Sequence, residues 1–326
     1  RPIRVQMCQF HQMLIVRRYI TQDPDIEASA ELLKLVNNIT KMDKESFVGA
    51  FEEWYEKYKD IVNERVQDKR IKHNTDISTE DAIKFVQRNQ NNPFFLYLAY
   101  DAPHEPYNIE ETTWYDDEEW DMNTKRYASL ITHMDRAIGR LLAELDRLGL
   151  RENTLIFFAS DNGAAKQAPI EVLGCKGTLR GMKGQLYEGG IRVPFIVNQP
   201  GTVPVQKLDN LIYFPDVMPT LAAAAKAEDK LPTRRNGMNI LPLIMGEEMP
   251  ETDERMLYWE FPGKQRAARK GDWKVVTIKK DAPLELYNIR KDMTESNDLA
   301  KEYPELVEQF EREMKAGRVP SPNWPD

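Results

Sequence analysis

The chain has 326 residues, 41% of them hydrophobic and 30% charged, which is enough to bury a large core in one domain or two smaller ones. The formal net charge of −8 argues against nucleic acid as a partner, and no apolar run approaches the length of a membrane span. The two cysteines allow one disulfide at most and do not decide the cellular compartment.

The first 74 residues predict a helical segment whose role the sequence does not assign. Residues 27–36 and 44–66 have helical character and carry much charge. His11 and His73 are isolated, and we interpret both as non-ligands. Aromatic residues recur three to four positions apart, which predicts a helix that packs one face on the body of the protein. These aromatic residues are Phe47, Phe51, Trp54, Tyr55 and Tyr58.

Two apolar runs with a long helix between them follow. Residues 93–100 and 155–159 are continuous apolar runs, typical of strands that are covered on both faces. Between them, apolar residues recur at helical spacing from Tyr127 to Leu148, with Asn123 as the predicted N-cap and Gly149 as the stop. A strand, a helix and a second strand form a right-handed crossover, so the two strands are predicted to be parallel.

Polar side chains follow both predicted strands. Asp161 and Asn162 come after the second strand, and His104 lies between two prolines after the first. Because ligands bind beyond the carboxyl ends of parallel strands, these side chains are expected on one rim of the sheet. Asp and Asn offer hard oxygen donors that suit calcium or magnesium, and Lys183 and Arg192 offer positive charge for an anion. The structural alternative is an ordinary Asp-Asn-Gly turn.

The last part of the chain predicts a small antiparallel sheet with a helix. Alternating apolar residues begin a strand after residue 255, and residues 269–272 predict a hairpin turn. Residues 284–289 predict a further strand, and residues 304–314 a closing amphipathic helix. The predicted organisation is a helical segment at 1–74, an α/β core at 75–250 and an α+β subdomain at 251–326.

Four passages, in this order, resemble the type I sulfatases of the alkaline phosphatase superfamily. They are P-F-F-L-Y-L-A-Y-D-A-P-H-E-P at 93–106, Y-A-S-L-I-T-H-M-D-R-A-I-G-R-L-L at 127–142, N-T-L-I-F-F-A-S-D-N-G at 153–163 and G-T-L-R-G-M-K-G-Q-L-Y-E-G-G-I-R-V-P-F at 177–195. The resemblance runs from about residue 75 to the C-terminus. It implies an α/β fold with a mostly parallel sheet, helices on both faces and a small C-terminal subdomain. It also implies hydrolysis of sulfate esters of a small molecule or glycan, in a periplasmic, secreted or lysosomal protein.

The resemblance implies roles for individual residues. Asp161 and Asn162 are similar to two of the family's calcium ligands, with magnesium as a second choice of ion. Lys183 resembles the lysine that contacts the sulfate. His104 resembles the histidine that contacts the sulfate and the leaving-group oxygen. For Glu188, in the E-G-G passage, we expect a structural role.

The chain also departs from the family pattern. The family nucleophile is a formylglycine made from the cysteine of a C-x-P-S-R motif, and neither Cys8 nor Cys175 has that context. The Asp-Asp pair and the G-K-W-H passage of the family have no counterpart in the sequence. We therefore expect an incomplete site that is inactive by itself. A phosphodiesterase or phosphatase of the same superfamily, and a non-catalytic protein that binds sulfated ligands, remain alternatives. The four histidines argue against a two-zinc phosphatase site.

Overall fold

The computed structural model describes residues 74–319, except residues 234, 262–264 and 280–281, together with positions 31, 34, 35, 46, 49, 50, 52–54, 56 and 57. The chain divides into two compact units, Arg1–Ile71 and Lys72–Asp326. The described positions of the first unit are helical, and they include an ion pair at 2.9 Å between Lys57 Nζ and Glu31 Oε1. Of the aromatic and histidine residues singled out in the first 74 positions, only Trp54 lies among the described residues.

The second unit begins with two packed helices, α1 (Asn74–Arg88) and α2 (Met122–Arg147). Apolar side chains of both helices are buried, among them Val86 of α1 and Leu130 of α2. A polar contact adds to this packing, because Asp76 of α1 accepts hydrogen bonds from His133 and Arg140 of α2. His133 therefore bridges two helices, at 3.0 Å from Asp76 Oδ2. Gly149 follows α2 with φ of +67°, which supports the prediction that this glycine ends the helix.

The N-cap of α2 is Asp121, and the prediction of Asn123 is wrong. The Asp121 carboxylate accepts a hydrogen bond from Thr124 N at 2.8 Å, while Asn123 lies exposed within the first turn. Both residue types are good N-caps, and the apolar spacing alone does not fix where the first turn starts.

We expect Asp121→Ala to lower the free energy of unfolding by about 1 kcal/mol, because a backbone N–H of the first turn loses its acceptor. Asn123→Ala is the matched control and should change stability by less than about 0.5 kcal/mol. Urea unfolding of both variants measures the difference. Equal losses in the two variants would contradict the assignment of Asp121 as the N-cap.

Shorter elements connect the rest of the unit. In chain order they are β1 (Ile156–Ala159), α3 (Ile170–Leu173), α4 (Glu188–Ile191), β2 (Phe195–Asn198), α5 (Val217–Ala224), α6 (Leu241–Ile244) and α7 (Glu251–Glu254). Single 3-10 turns lie at Thr113–Tyr115, Arg151–Asn153, Phe214–Asp216 and Glu228–Lys230. No helix in the described part of the chain has both the length and the apolar character needed to cross a membrane.

The strand pairing differs from the parallel crossover that the sequence predicts. β1 pairs with β2 in antiparallel register, so Phe158 faces Ile196. Residues 93–100 form no strand, although they alternate between exposed and half-buried. Among the described residues, therefore, every strand pairing is antiparallel and no parallel sheet is present.

The apolar runs are also less covered than the sequence predicts. The continuous apolar sequence indicated strands covered on both faces, but Phe95 is 70% exposed and Tyr97 is 81% exposed. Phe158 and Ile196, which lie opposite each other in β1 and β2, are also exposed. Within the described residues these segments thus have only one covered face, and residues 93–100 have no ladder partner.

The C-terminal part forms a four-stranded antiparallel sheet in sequence order. Its strands are β3 (Met256–Phe261), β4 (Gln265–Lys270), β5 (Trp273–Thr277) and β6 (Glu285–Asn288), followed by α8 (Pro304–Gly317). The predicted strands, hairpin and helix of this segment are therefore present in the structure. Phe310 and Met314 of α8 pack on one side of the sheet against Ala268, Val275 and Leu286.

A second core cluster joins this sheet to the Gly-rich segment before α4. Leu186 and Tyr187 are buried against Ala267, Val276 and Tyr287 of the sheet. The antiparallel sheet thus supports the segment that carries Lys183 and leads into α4. The predicted boundary at residues 250 and 251 stays a prediction.

Candidate active site

The loop after β1 carries Asp161 and Asn162. Asp161 is exposed, and its Oδ1 accepts a hydrogen bond from the Asn162 amide nitrogen. Ser160 Oγ donates to the Asn162 backbone oxygen at 3.0 Å, which closes a tight turn. The backbone N–H of Gly163 then donates to Gly190 O at 3.0 Å, so the loop lies directly on α4.

Glycines make this close approach of backbones possible. A Cβ added to Gly163 would lie 1.9 Å from Gly189 O, and one added to Gly190 would lie 2.0 Å from Gln185 O. A Cβ on Gly189 would meet Arg180 O at 2.5 Å. No side chain fits at these three positions without moving backbone. The three layers, which are the Asp161 loop, α4 and residues 180–185, are therefore in direct backbone contact.

Lys183 lies beside the Asp161 loop. Its backbone N–H donates to Ala164 O at 2.8 Å, three residues after Asp161. The neighbouring Gly181 and Gly184 have φ of +82° and +88°, so the chain turns sharply on both sides of the lysine. The Lys183 residue is exposed, and no ion pair holds its ammonium group in the described part of the chain. The structure thus brings the Lys183 backbone into contact with the segment that follows Asp161 and Asn162.

His104 is exposed in a loop of its own. Its Nδ1 lies 2.7 Å from Glu105 O, and its backbone N–H donates to Asp101 O at 2.8 Å. Because a carbonyl oxygen only accepts, Nδ1 carries a proton and Nε2 is left for a ligand. Both peptide bonds that precede the flanking prolines are cis.

The His104 loop lies near the segment between Asp161 and Lys183. Tyr107, three residues after His104, packs edge-on against Tyr127 of α2 at 5.2 Å between ring centroids. Burial, with Cys175 close by, raises the pKa of Tyr127, and burial, with Glu105 and Cys175 nearby, raises the pKa of Tyr107. Cys175 thus lies near both tyrosines. That His104 and Lys183 contact the same ligand stays a prediction.

Arg192 lies in an ion pair, whereas the sequence offered it as a positive group for an anion. Its Nε donates to Glu188 Oε2 at 2.7 Å, one helical turn away. The arginine charge therefore balances a buried carboxylate. The separation of four residues between Glu188 and Arg192 is the sequence signal for such a pair.

The donor set at Asp161 and Asn162 fits part of a calcium site. Calcium takes six to eight oxygen ligands, and a carboxylate with an adjacent amide supplies two hard oxygens. Among the described residues, no cluster of three or more His, Cys, Asp or Glu side chains is placed to hold a metal ion. Two oxygen donors are fewer than calcium takes, so an ion bound here would need further ligands.

Two known protein families match this chain. Residues 33–227 match the sulfatase family, and residues 182–319 match the C-terminal region of N-sulphoglucosamine sulphohydrolase. The chain belongs to the sulfatase family. The second match covers the antiparallel sheet and α8, so the sulfatase resemblance extends through the C-terminal part of the chain.

Curated sulfatases are similar over much of the chain. It is 30% identical to an N-acetylgalactosamine-6-O-sulfatase of Bacteroides thetaiotaomicron over 72% of this chain and 49% of the relative. It is 28% identical to a sulfatase of Formosa agariphila, over 72% of this chain and 47% of the relative. A steryl-sulfatase of Rattus norvegicus is 35% identical over 55% of this chain and 31% of the relative. The chain thus spans about half the length of these relatives, or less.

Solved sulfatase structures share the fold. Ps i-CgsB in complex with k-i-k-neocarrahexaose has a TM-score of 0.70 and 30% identity, over 84% of this chain and 64% of that one. A protein of glycosaminoglycan metabolism from Bacteroides thetaiotaomicron has a TM-score of 0.65 and 27% identity, over 76% of this chain and 55% of that one. The fold class is therefore that of the sulfatases.

Proposed function

We propose that this chain forms the sulfate-binding and part of the metal-binding site of a hydrolase that acts on sulfated glycans. The observation that carries the proposal is the backbone contact of Lys183 with Ala164. This contact and the exposure of Lys183 support a cation beside the loop that carries the two oxygen donors. Such a pairing suits a sulfate ester, whose oxygens gain negative charge during hydrolysis and are stabilised by a cation and a metal ion.

The residues have distinct roles in this proposal. Asp161 and Asn162 would hold a calcium ion, which supplies positive charge next to the sulfate oxygens. Lys183 donates hydrogen bonds to the same sulfate. His104, when protonated, gives a proton from Nε2 to the leaving oxygen, while Nδ1 continues to donate to Glu105 O. Formylglycine is the family nucleophile, and neither Cys8 nor Cys175 lies in a sequence from which it is made.

The choice of a glycan rests on the relatives. One solved neighbour is in complex with k-i-k-neocarrahexaose, and one curated relative is named an N-acetylgalactosamine-6-O-sulfatase. A steryl-sulfatase is also similar, so aryl and steryl sulfates are the competing substrate class. A non-catalytic protein that binds sulfated ligands is the second candidate function, because this chain lacks the nucleophile motif.

The test is the release of inorganic sulfate by the protein isolated from its source organism, which we call the native protein. We expect sulfate from sulfated oligosaccharides, less from an aryl sulfate, and no phosphate from a phosphate diester. Ion chromatography measures both anions. The 326-residue chain alone should hydrolyse each ester no faster than a heat-treated control, because it lacks a nucleophile. Binding of the oligosaccharide without sulfate release by the native protein would favour the non-catalytic candidate, and phosphate release would favour a phosphodiesterase.

Calcium binding tests the metal assignment separately. Asp161→Ala should raise the calcium Kd by about tenfold or more, because one hard oxygen ligand is lost. Asp209→Ala is the control, since Asp209 is exposed and lies in another loop. Isothermal titration with calcium measures the Kd of the native protein and of both variants. An unchanged Kd in Asp161→Ala would remove Asp161 from the ligand set.

A further inference from the structure

A buried charge cluster lies behind the site, between α4 and the antiparallel sheet. Lys274 of β5 is fully buried, and its Nζ lies 2.9 Å from Glu188 Oε1 and 2.8 Å from Glu295 Oε1. Glu295 is also fully buried, and its Oε2 accepts from Glu188 N at 2.7 Å. Arg192 and Arg269 approach the other oxygen of Glu188, at 2.7 Å and 3.6 Å.

The cluster keeps Glu188 ionised in the interior. Burial by itself would raise the pKa of Glu188, but Lys274, Arg192 and Arg269 outweigh this and lower it to about 2. Burial raises the pKa of Glu295, with Lys274 opposing the shift. Buried ion pairs are often no more stabilising than packed apolar side chains. The cluster is therefore better explained by what it holds in place than by stability alone.

The backbone of Glu295 supports this interpretation. Glu295 has φ of +52°, a left-handed conformation that disfavours residues other than glycine. A residue persists in such a conformation only where its contacts determine it. Here the contacts are Lys274 on one carboxylate oxygen and the Glu188 N–H on the other.

Glu188 connects the cluster to the site. It is the first residue of α4, and the next two residues are the glycines that contact both site loops. Gly189 N donates to Arg180 O at 2.7 Å, and Gly190 O accepts from Gly163 N at 3.0 Å. A displacement of Glu188 would therefore move both loops.

Arg180 gives the same segment a second attachment to the sheet. Its guanidinium lies 3.9 Å from the centre of the Tyr187 ring and donates to Tyr287 Oη at 2.8 Å. It also donates to Glu295 O at 2.9 Å, so Glu295 holds both Arg180 and Glu188. The segment 180–190 is thus attached to the antiparallel sheet near both of its ends, through Arg180 and Glu188.

We propose that Lys274 is a positioning residue of the site. Acting through Glu188 and α4, it sets the distance between the Asp161–Asn162 loop and the loop that carries Lys183. The site roles of those loops rest on the proposed function, but the mechanical link does not. Lys274 belongs to the antiparallel sheet, so the C-terminal region holds the site together although it contributes none of the proposed sulfate or metal contacts.

Hydrogen exchange measured by mass spectrometry on the 326-residue chain tests the link. In Lys274→Met, we expect amides of residues 160–166 and 180–190 to exchange about tenfold faster or more, because Glu188 and Glu295 lose their shared partner. Amides of α1 and α2 should be unchanged. Lys270→Met on the neighbouring strand is the matched control, since it breaks only the partly exposed pair with Glu313. Lys274→Arg, which keeps the charge, should restore part of the protection.

The outcomes separate a positioning role from a purely structural one. Loss of protection in β3 to β6 with unchanged site loops would overturn the proposal, as would equal effects of Lys270→Met and Lys274→Met. If Lys274→Met does not fold, Glu295→Gln decides, because it keeps the Lys274–Glu188 pair and should loosen the same loops more weakly. The exchange needs no calcium, sulfate or turnover. A native protein that releases no sulfate would contradict the proposed function, but it would leave the exchange result unaffected.

Discussion

Lys183→Ala should reduce sulfate release by about 10²–10³-fold in the native protein. The lysine is exposed beside the Asp161 loop, where its ammonium group would meet the negative charge that develops on the sulfate oxygens. Removal of one such stabilising group typically costs about this factor. We expect the loss mainly in kcat, because the charge is greatest in the transition state.

Two variants serve as controls for this result. Lys207→Ala removes another exposed lysine, from a different loop, and should leave the rate unchanged. Lys183→Arg keeps the charge but changes its geometry, so an intermediate rate is expected. A loss below about threefold in Lys183→Ala would contradict the role of Lys183 in sulfate binding.

Gly163→Ala should disrupt the site although it adds only a methyl group. The added carbon would lie 1.9 Å from Gly189 O, so the Asp161 loop has to move away from α4. Overpacking of this kind costs about 1–3 kcal/mol of stability, and a shift of about 1 Å at a site costs about 10² in rate. We expect both the calcium affinity and the rate of sulfate release to fall.

Gly139→Ala is the control for this substitution. Gly139 is exposed in α2, and a Cβ there meets nothing within 4 Å. Because glycine weakens helices, this variant should be about 0.5–1 kcal/mol more stable and fully active. Thermal unfolding and the sulfate assay compare the pair. Normal activity in Gly163→Ala would mean that the stacking of the loops does not matter for the site.

Local patterns predicted the C-terminal region well. The alternation in residues 256–261, the Gly271 turn and the spacing in residues 304–314 are signals between near neighbours in the sequence. They correspond to the observed strands, hairpin and helix. The Asp161–Asn162–Gly163 turn is likewise a local signal, and it lies where expected, after β1.

Long-range pairing was harder to predict. The apolar run at residues 93–100 has the composition of a buried strand, but a strand also needs a hydrogen-bonding partner, and composition does not reveal one. The same holds for Lys274, which meets Glu188 across 86 positions of sequence. A lysine in an alternating strand pattern is ordinarily assigned to the solvent side, so no sequence signal indicated its burial.

A crystal structure of the native protein with calcium and a sulfated oligosaccharide would show whether these residues form one site. We expect oxygens of Asp161 and Asn162 about 2.3–2.6 Å from the ion. We also expect Lys183 Nζ and His104 Nε2 within about 2.7–3.2 Å of oxygens of one sulfate ester group. A calcium ion held without Asp161 and Asn162, or a sulfate group bound away from Lys183, would contradict this expectation.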